Sequence, residues 1–158
     1  MKNLCKKLLT GCMALAMACA MAIPSFAAEP AILRAGTSYT IQSVVEGTNV
    51  TSGGVGKNIH LDDSQDRWMV GSNGGTTKLY YIDSAMGLVA TYSYGNVVLN
   101  FENQVSSGDT SFNVNTLTEG KSRLIFDLRN AYWNSNGEAI VTSFYNETSE
   151  AQKWYLNL

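Results

Sequence analysis

The sequence predicts an all-β domain built as three repeats of four short strands, preceded by a cleaved leader. Two observations carry this. Apolar and polar residues alternate in short runs (Tyr39-Thr40-Ile41-Gln42, Asn58-Ile59-His60-Leu61, Ser111-Phe112-Asn113-Val114), and clusters rich in Gly, Asn and Ser separate them at 52–54, 71–75, 106–109 and 134–137. Such punctuation marks strands joined by tight turns. Large side chains also recur at a near-constant interval. Trp68, Phe112 and Trp154 are 44 and 42 residues apart, and Ile41, Ile82 and Ile125 are 41 and 43 apart. A period of this length marks a repeat architecture. No stretch after residue 30 carries a helical apolar stripe.

The chain has 158 residues, which fits one domain. Its beginning reads as a leader and not as part of that domain. Lys2, Lys6 and Lys7 open it, an apolar run from Leu8 to Ile23 follows, and Pro24 ends that run before the small residues of Ser25-Phe26-Ala27. This is the pattern of a secretory signal peptide over 1–27. A transmembrane anchor would need a longer core and a basic stop-transfer. Leu9-Thr10-Gly11-Cys12 resembles a lipobox but falls too soon after the lysines. The expected product is secreted, extracellular or held at the cell surface, with no membrane insertion after cleavage. The lysine-led signal has a bacterial look.

Cys5, Cys12 and Cys19 all lie in the leader, so the mature chain has no cysteine. It is neither a disulfide scaffold nor a thiol enzyme. Three of the eleven basic residues leave with the leader, so eight face thirteen acidic ones in the remainder. Without a basic run, nucleic acid is excluded as a partner.

After a lead-in at 28–36, the units are 37–76, 77–119 and 120–158. Each opens on a strand around Ile41, Ile82 or Ile125. A second strand centres on Val50, Val89 and Tyr132, and a third on Ile59, Val97 and Ile140. The fourth opens on Trp68, Phe112 or Trp154. Four short strands cannot bury an apolar face alone, whereas three units closed around an axis can, and closure removes sheet edges.

Twelve strands in three such units, with Gln152-Lys153-Trp154 ending the third, resemble the β-trefoil of ricin B-type, Gln-x-Trp lectins. The resemblance spans about 120 residues. The first unit ends Gln65-Asp66-Arg67-Trp68, one residue too long for the motif, and the second has Phe112 without a preceding Gln. The resemblance implies a non-catalytic carbohydrate-binding protein with no cofactor. Its sugar pockets would use an Asp after the second strand, a stacking aromatic and polar groups near Gln-x-Trp. The positions matching that Asp are Thr51, Thr91 and Asn134, none a carboxylate.

A second register makes Asp127 the sugar ligand, since Phe126-Asp127-Leu128 is similar to the family's Leu-Asp-Val. It would force Phe112-Asn113-Val114 into unit three and leave unit two a strand short, so the twelve-strand register is preferred. Asp127 is then a strand-end residue paired with Arg123 or Arg129. Within the family Gln152 also has a structural part, bracing the hairpin, while Trp68, Phe112 and Trp154 fill the core.

The candidate sugar-binding residues are therefore aromatics beside polar turns, which offer a flat apolar face with a polar edge. Tyr92 and Tyr94 sit in the Ala90–Gly95 turn. Tyr132 and Trp133 precede Asn134, and Tyr145 precedes Asn146. Strand alternation puts one of Tyr132 and Trp133 inward, and Trp133 is expected to face out. Asn134, Asp127 and Gln152 complete the set.

Other chemistry is poorly served. Gly53-Gly54-Val55-Gly56-Lys57-Asn58 lacks the first Gly and the hydroxyl residue of a phosphate loop. Asp62, Asp63 and Asp66 lack calcium-loop spacing. His60 is the single histidine, so a histidine metal site or a Ser-His-Asp triad has little to build on. Nothing pairs two carboxylates for glycoside hydrolysis. The expected partner is a glycan or polysaccharide. The alternatives are a protein partner, engaged by a protruding loop over Glu102–Ser111 as in a protease inhibitor or a toxin or adhesin subunit, and a structural domain without a ligand.

Overall fold

The computed structural model describes residues 34–73, 76–82 and 87–158. The expected leader at 1–27 and the first part of the lead-in lie outside the described residues. Twelve strands run through the rest: β1 (Ser38–Ser43), β2 (Asn49–Thr51), β3 (His60–Asp62), β4 (Trp68–Asn73), β5 (Thr76–Tyr81), β6 (Leu88–Ser93), β7 (Asn96–Phe101), β8 (Phe112–Thr116), β9 (Lys121–Phe126), β10 (Ala131–Asn136), β11 (Ala139–Ser143) and β12 (Trp154–Asn157).

The pairings close two structures. The first and fourth strands of the units form a ring, in the order β1, β4, β5, β8, β9, β12 and back to β1, every neighbour antiparallel. The ring leaves no edge strand to template aggregation. The second and third strands form the hairpins β2–β3, β6–β7 and β10–β11. Each hairpin meets the next through Ala139 opposite His60, Val141 opposite Asn96, and Asn58 opposite Val98. Three hairpins therefore cap one end of a six-stranded barrel. Asn113 and Val114 lie in β8, paired with β9, and each unit has its four strands.

The core sits where barrel and cap meet. Trp68, Phe112 and Trp154 open β4, β8 and β12 and are buried, joined by Ile41, Val50, Ile59, Val97, Leu99 and Ile140. The Trp68 indole N–H donates to the Val50 carbonyl at 3.0 Å, and that of Trp154 donates to the Trp133 carbonyl at 3.3 Å. The two ends of the repeat thus use one device, tying the fourth strand to the second. The Phe112 side chain has no N–H and takes part through packing alone, with its ring centre 4.3 Å from that of Phe126 and 5.3 Å from that of Trp133.

Two expectations are corrected here. Ile82 does not anchor the first strand of unit two. It lies just past β5 and is 41% exposed, while Leu79 takes the inward place. Trp133 points in, with 0% exposure, and Tyr132 is half-buried. The cause is local. Asn130 is left-handed (φ 49°), so the chain re-enters the sheet with Ala131 inward, and alternation carries Trp133 and Ser135 in after it.

Candidate functional site

The connection from third to fourth strand differs between units, and this shapes the surface. In unit one it is short, residues 63–67, and it is tied down. Asp66 accepts the Ser52 N–H at 2.7 Å, and Asn49 donates to the Ser64 carbonyl at 2.9 Å. Asp62 accepts the Thr51 hydroxyl at 2.6 Å and the Ser64 N–H at 2.7 Å. The Thr51 bond first, then the Ser64 amide, hold the Asp62 carboxyl at about 2, with His60 contributing less. In units two and three the connections are twice as long, residues 102–111 and 144–153, and each bounds an open cleft against the second strand of its unit.

The unit-two cleft has a volume of about 530 Å³ and includes Tyr92, Tyr94, Asn100, Gln104, Asp109 and Arg129. Arg129 donates through Nε and Nη2 to Asp109 Oδ1 at 2.9 and 2.7 Å, and its guanidinium lies 5.6 Å over the Tyr92 ring. Tyr92 also meets Phe126 edge-on at 5.9 Å. Tyr92 is thus a wall of the cleft, held from both sides. Tyr94 is its free rim. With Gly95 it forms the two-residue turn of the β6–β7 hairpin, at φ 46° and 86°, and its side chain is 96% exposed. A turn with both central residues at positive φ favours Asn or Gly first. A tyrosine held there is a local cost, and such costs gather at binding sites.

The 102–111 connection does not protrude, which corrects the expectation of a projecting loop. Its helical turn α1 (Ser107–Thr110) lies down, with Thr110 and Ser111 buried, Asp109 bonded to Arg129, and Leu128 against Gly108.

The unit-three cleft, about 640 Å³, brings together Asn134, Phe144, Tyr145, Asn146, Glu147 and Gln152. Gln152 is buried and committed. Its amide donates to Ser143 Oγ and to the Phe144 carbonyl, both at 2.7 Å, and its oxygen accepts the Asn146 N–H at 3.0 Å. With both of its N–H bonds used, it braces the loop instead of donating to a ligand. Tyr145 is 51% exposed, with its ring 5.2 Å from Tyr132 and 5.0 Å from the Arg123 guanidinium. Phe144 beside it is almost fully exposed.

The expected site residues therefore divide. Tyr92 and Tyr94 share one cleft, while Asn134, Tyr145 and Gln152 share the other. Trp133 belongs to the core, and buried in that way it offers a sugar no face. Asp127 lines neither cleft and pairs with neither arginine. It accepts from Asn113 Nδ2 at 2.6 Å, because Arg129 is taken by Asp109 and Arg123 turns to the Glu147 carbonyl. Thr51 and Thr91 are buried, bonded to Asp62 and to the Val89 carbonyl. Arg129, Asp109 and Arg123 were not expected in the clefts, because their partners are distant in the chain, and neither was the exposed Phe144. An exposed Phe-Tyr pair before Asn146 was the one local signal.

No protein-family model matches the sequence, and no curated protein matches it. Solved structures do match. BEL β-trefoil is 10% identical, with a TM-score of 0.67 over 81% of this chain and 97% of its own. SeviL bound to asialo-GM1 saccharide is 16% identical, with a TM-score of 0.60 over 75% and 94%. The Macrolepiota procera ricin B-like lectin in complex with lactose is 18% identical, with a TM-score of 0.56 over 78% and 96%. The fold is a β-trefoil.

Proposed function

We propose that the protein is a secreted, non-catalytic glycan-binding protein of the lectin type, working through the clefts of units two and three. The observation that carries this is their equivalence. The same place in two units, between second strand and third-to-fourth connection, opens to solvent and presents a tyrosine at its rim, while unit one closes it. Tyr94 and Tyr145 supply the flat faces, and Asn100, Gln104, Asn134 and Asn146 supply amide donors and acceptors suited to sugar hydroxyls. The saccharide complexes among the structural neighbours, of lactose and of asialo-GM1, support the reading for this fold. Each cleft is open, so single contacts are weak, and two clefts on one repeated glycan raise avidity without new contacts.

A glycan array tests it. The purified protein is expected to bind a restricted set of glycans, and Tyr94→Ala and Tyr145→Ala are each expected to lower the signal about tenfold, a loss that loss of avidity alone can produce. Undiminished binding by both variants, or no binding by the wild type at micromolar concentration, would overturn it.

A further inference from the structure

Arg123 is the anomaly of the molecule. It lies in β9, opposite Asn115 of β8, and is only 5% exposed. Among the described residues its one side-chain hydrogen bond runs from Nη2 to the backbone carbonyl of Glu147 at 3.1 Å, and its Nε is buried without a partner. Among the described residues no carboxylate pairs with it. A guanidinium offers five donors in a rigid fork, and a buried charge without a counter-ion is costly.

The surroundings show what is missing. Arg123 lines a further cleft of about 530 Å³ between the β8–β9 turn and the β11–β12 loop, together with Lys121, Lys153, Glu119, Glu147 and Glu150. The lysines there are satisfied. Lys121 pairs with Glu119 at 3.4 Å and with Glu150 at 3.3 Å, and Lys153 pairs with Glu150. Two lysines therefore neutralise two glutamates, which leaves Arg123, 5.0 Å from the centre of the Tyr145 ring, and Glu147 as the cation and anion of the cleft without an ion-pair partner among the described residues. The Glu147 side chain is exposed and turned to no cation within ion-pair distance among the described residues. Tyr145 and Glu147 line both this cleft and the glycan cleft of unit three, so the two lie side by side.

We infer that unit three recognises an acidic sugar, a uronate or a sialate, whose ring rests beside Tyr145 and whose carboxylate pairs with Arg123. The inference rests on the glycan-binding reading and narrows it. Guanidinium and carboxylate match as two parallel hydrogen bonds, and the edge that supplies such a fork is Nε with Nη2, which keeps a second hydrogen beside the one given to the Glu147 carbonyl. A neutral sugar leaves the fork empty.

The Arg123 Nε–H resonance of the purified protein, assigned by its loss in Arg123→Lys, provides a direct test. It is titrated with sodium glucuronate, sodium N-acetylneuraminate, methyl glucuronate ester and glucose. A saturable shift with one or both acids, absent with ester and glucose, is the expected result, and the acid that acts names the source of the carboxylate. No shift with either acid, or an equal shift with glucose, would overturn the inference. On the array, Arg123→Gln is expected to lose acidic glycans about tenfold and to keep neutral ones, in line with a charge-assisted pair. Tyrosine-dependent binding of neutral glycans with no acid-induced shift would overturn this inference and leave the lectin reading standing. A shift with glucuronate in a protein that binds no arrayed glycan would support the carboxylate site and overturn the lectin reading.

Discussion

Replacing Trp133 by alanine is expected to destabilise the protein by about 3–5 kcal/mol, the range for removing a large aromatic from a close-packed core. The indole sits at the centre of an aromatic cluster, 5.3 Å from Phe112, 5.9 Å from Phe126 and 6.1 Å from Trp154. Its backbone carbonyl accepts from the Trp154 indole, so a collapse of the cavity also disturbs the tie between β10 and β12. Trp133→Phe is expected to cost less. It keeps a ring and removes an indole N–H that is buried without a partner, which relieves a desolvation cost. Urea denaturation of both variants checks the order. A loss under about 1 kcal/mol for Trp133→Ala, typical of a surface change, would return Trp133 to the outer face.

Glu102→Ala is the second large effect, expected at about 3 kcal/mol, the low end for breaking a buried ion pair. Lys78 is buried on β5, and its ammonium meets Glu102 at 2.5 Å. Tyr80 donates to the same carboxylate oxygen at 2.9 Å, and its ring covers Gly71, where a Cβ would lie 2.3 Å from it. Burial first, then the bond to Glu102, push the Tyr80 hydroxyl up to about 12, so it stays a neutral donor at ordinary pH. Removing the carboxylate leaves the ammonium buried and unpaired. The low end applies because Glu102 is itself half-open and water reaches it.

The pH dependence follows from the sign of the Glu102 shift. The bond from Lys78 holds its carboxyl below the ordinary value of 4.5, against desolvation and with help from Tyr80. Its contribution is full above that unfolded-state value and is lost as pH falls through the lower folded value. The stability gap between wild type and Glu102→Ala, measured by denaturation, is therefore expected to be wide at pH 7 and to close in acid. A gap of equal size at both ends would show that the carboxylate charge is not the cause.

The parts of the fold legible in the sequence were those fixed by bulk and by turns. Trp68, Phe112 and Trp154 open the fourth strands because only large rings fill the barrel where the cap meets it. Facing was less legible, because it hangs on single residues. A left-handed Asn130 sets the parity of β10 and sends Trp133 inward. Lys78, flanked by Thr77 and Leu79, reads as solvent-facing, and its burial depends on Glu102, which lies twenty-four residues further along the chain.

The clefts were half legible. Tyr92, Tyr94 and Tyr145 announced themselves as aromatics beside polar turns, and each lines a cleft. Their walls did not. Arg129 reaches Asp109 across twenty residues, and Arg123 reaches the Glu147 carbonyl across twenty-four. Asp127 looked like a lectin's sugar ligand by its neighbours in sequence, but closure of the barrel sets Asn113 against it.

On the proposed function, two clefts, one in unit two and one in unit three, bind glycan independently. Calorimetric titration with a short oligosaccharide taken from the strongest array signal tests this most directly. Two sites per chain are expected for the wild type, one for Tyr94→Ala, one for Tyr145→Ala and none for the double variant, each variant still unfolding cooperatively. A single site that survives both substitutions would contradict it.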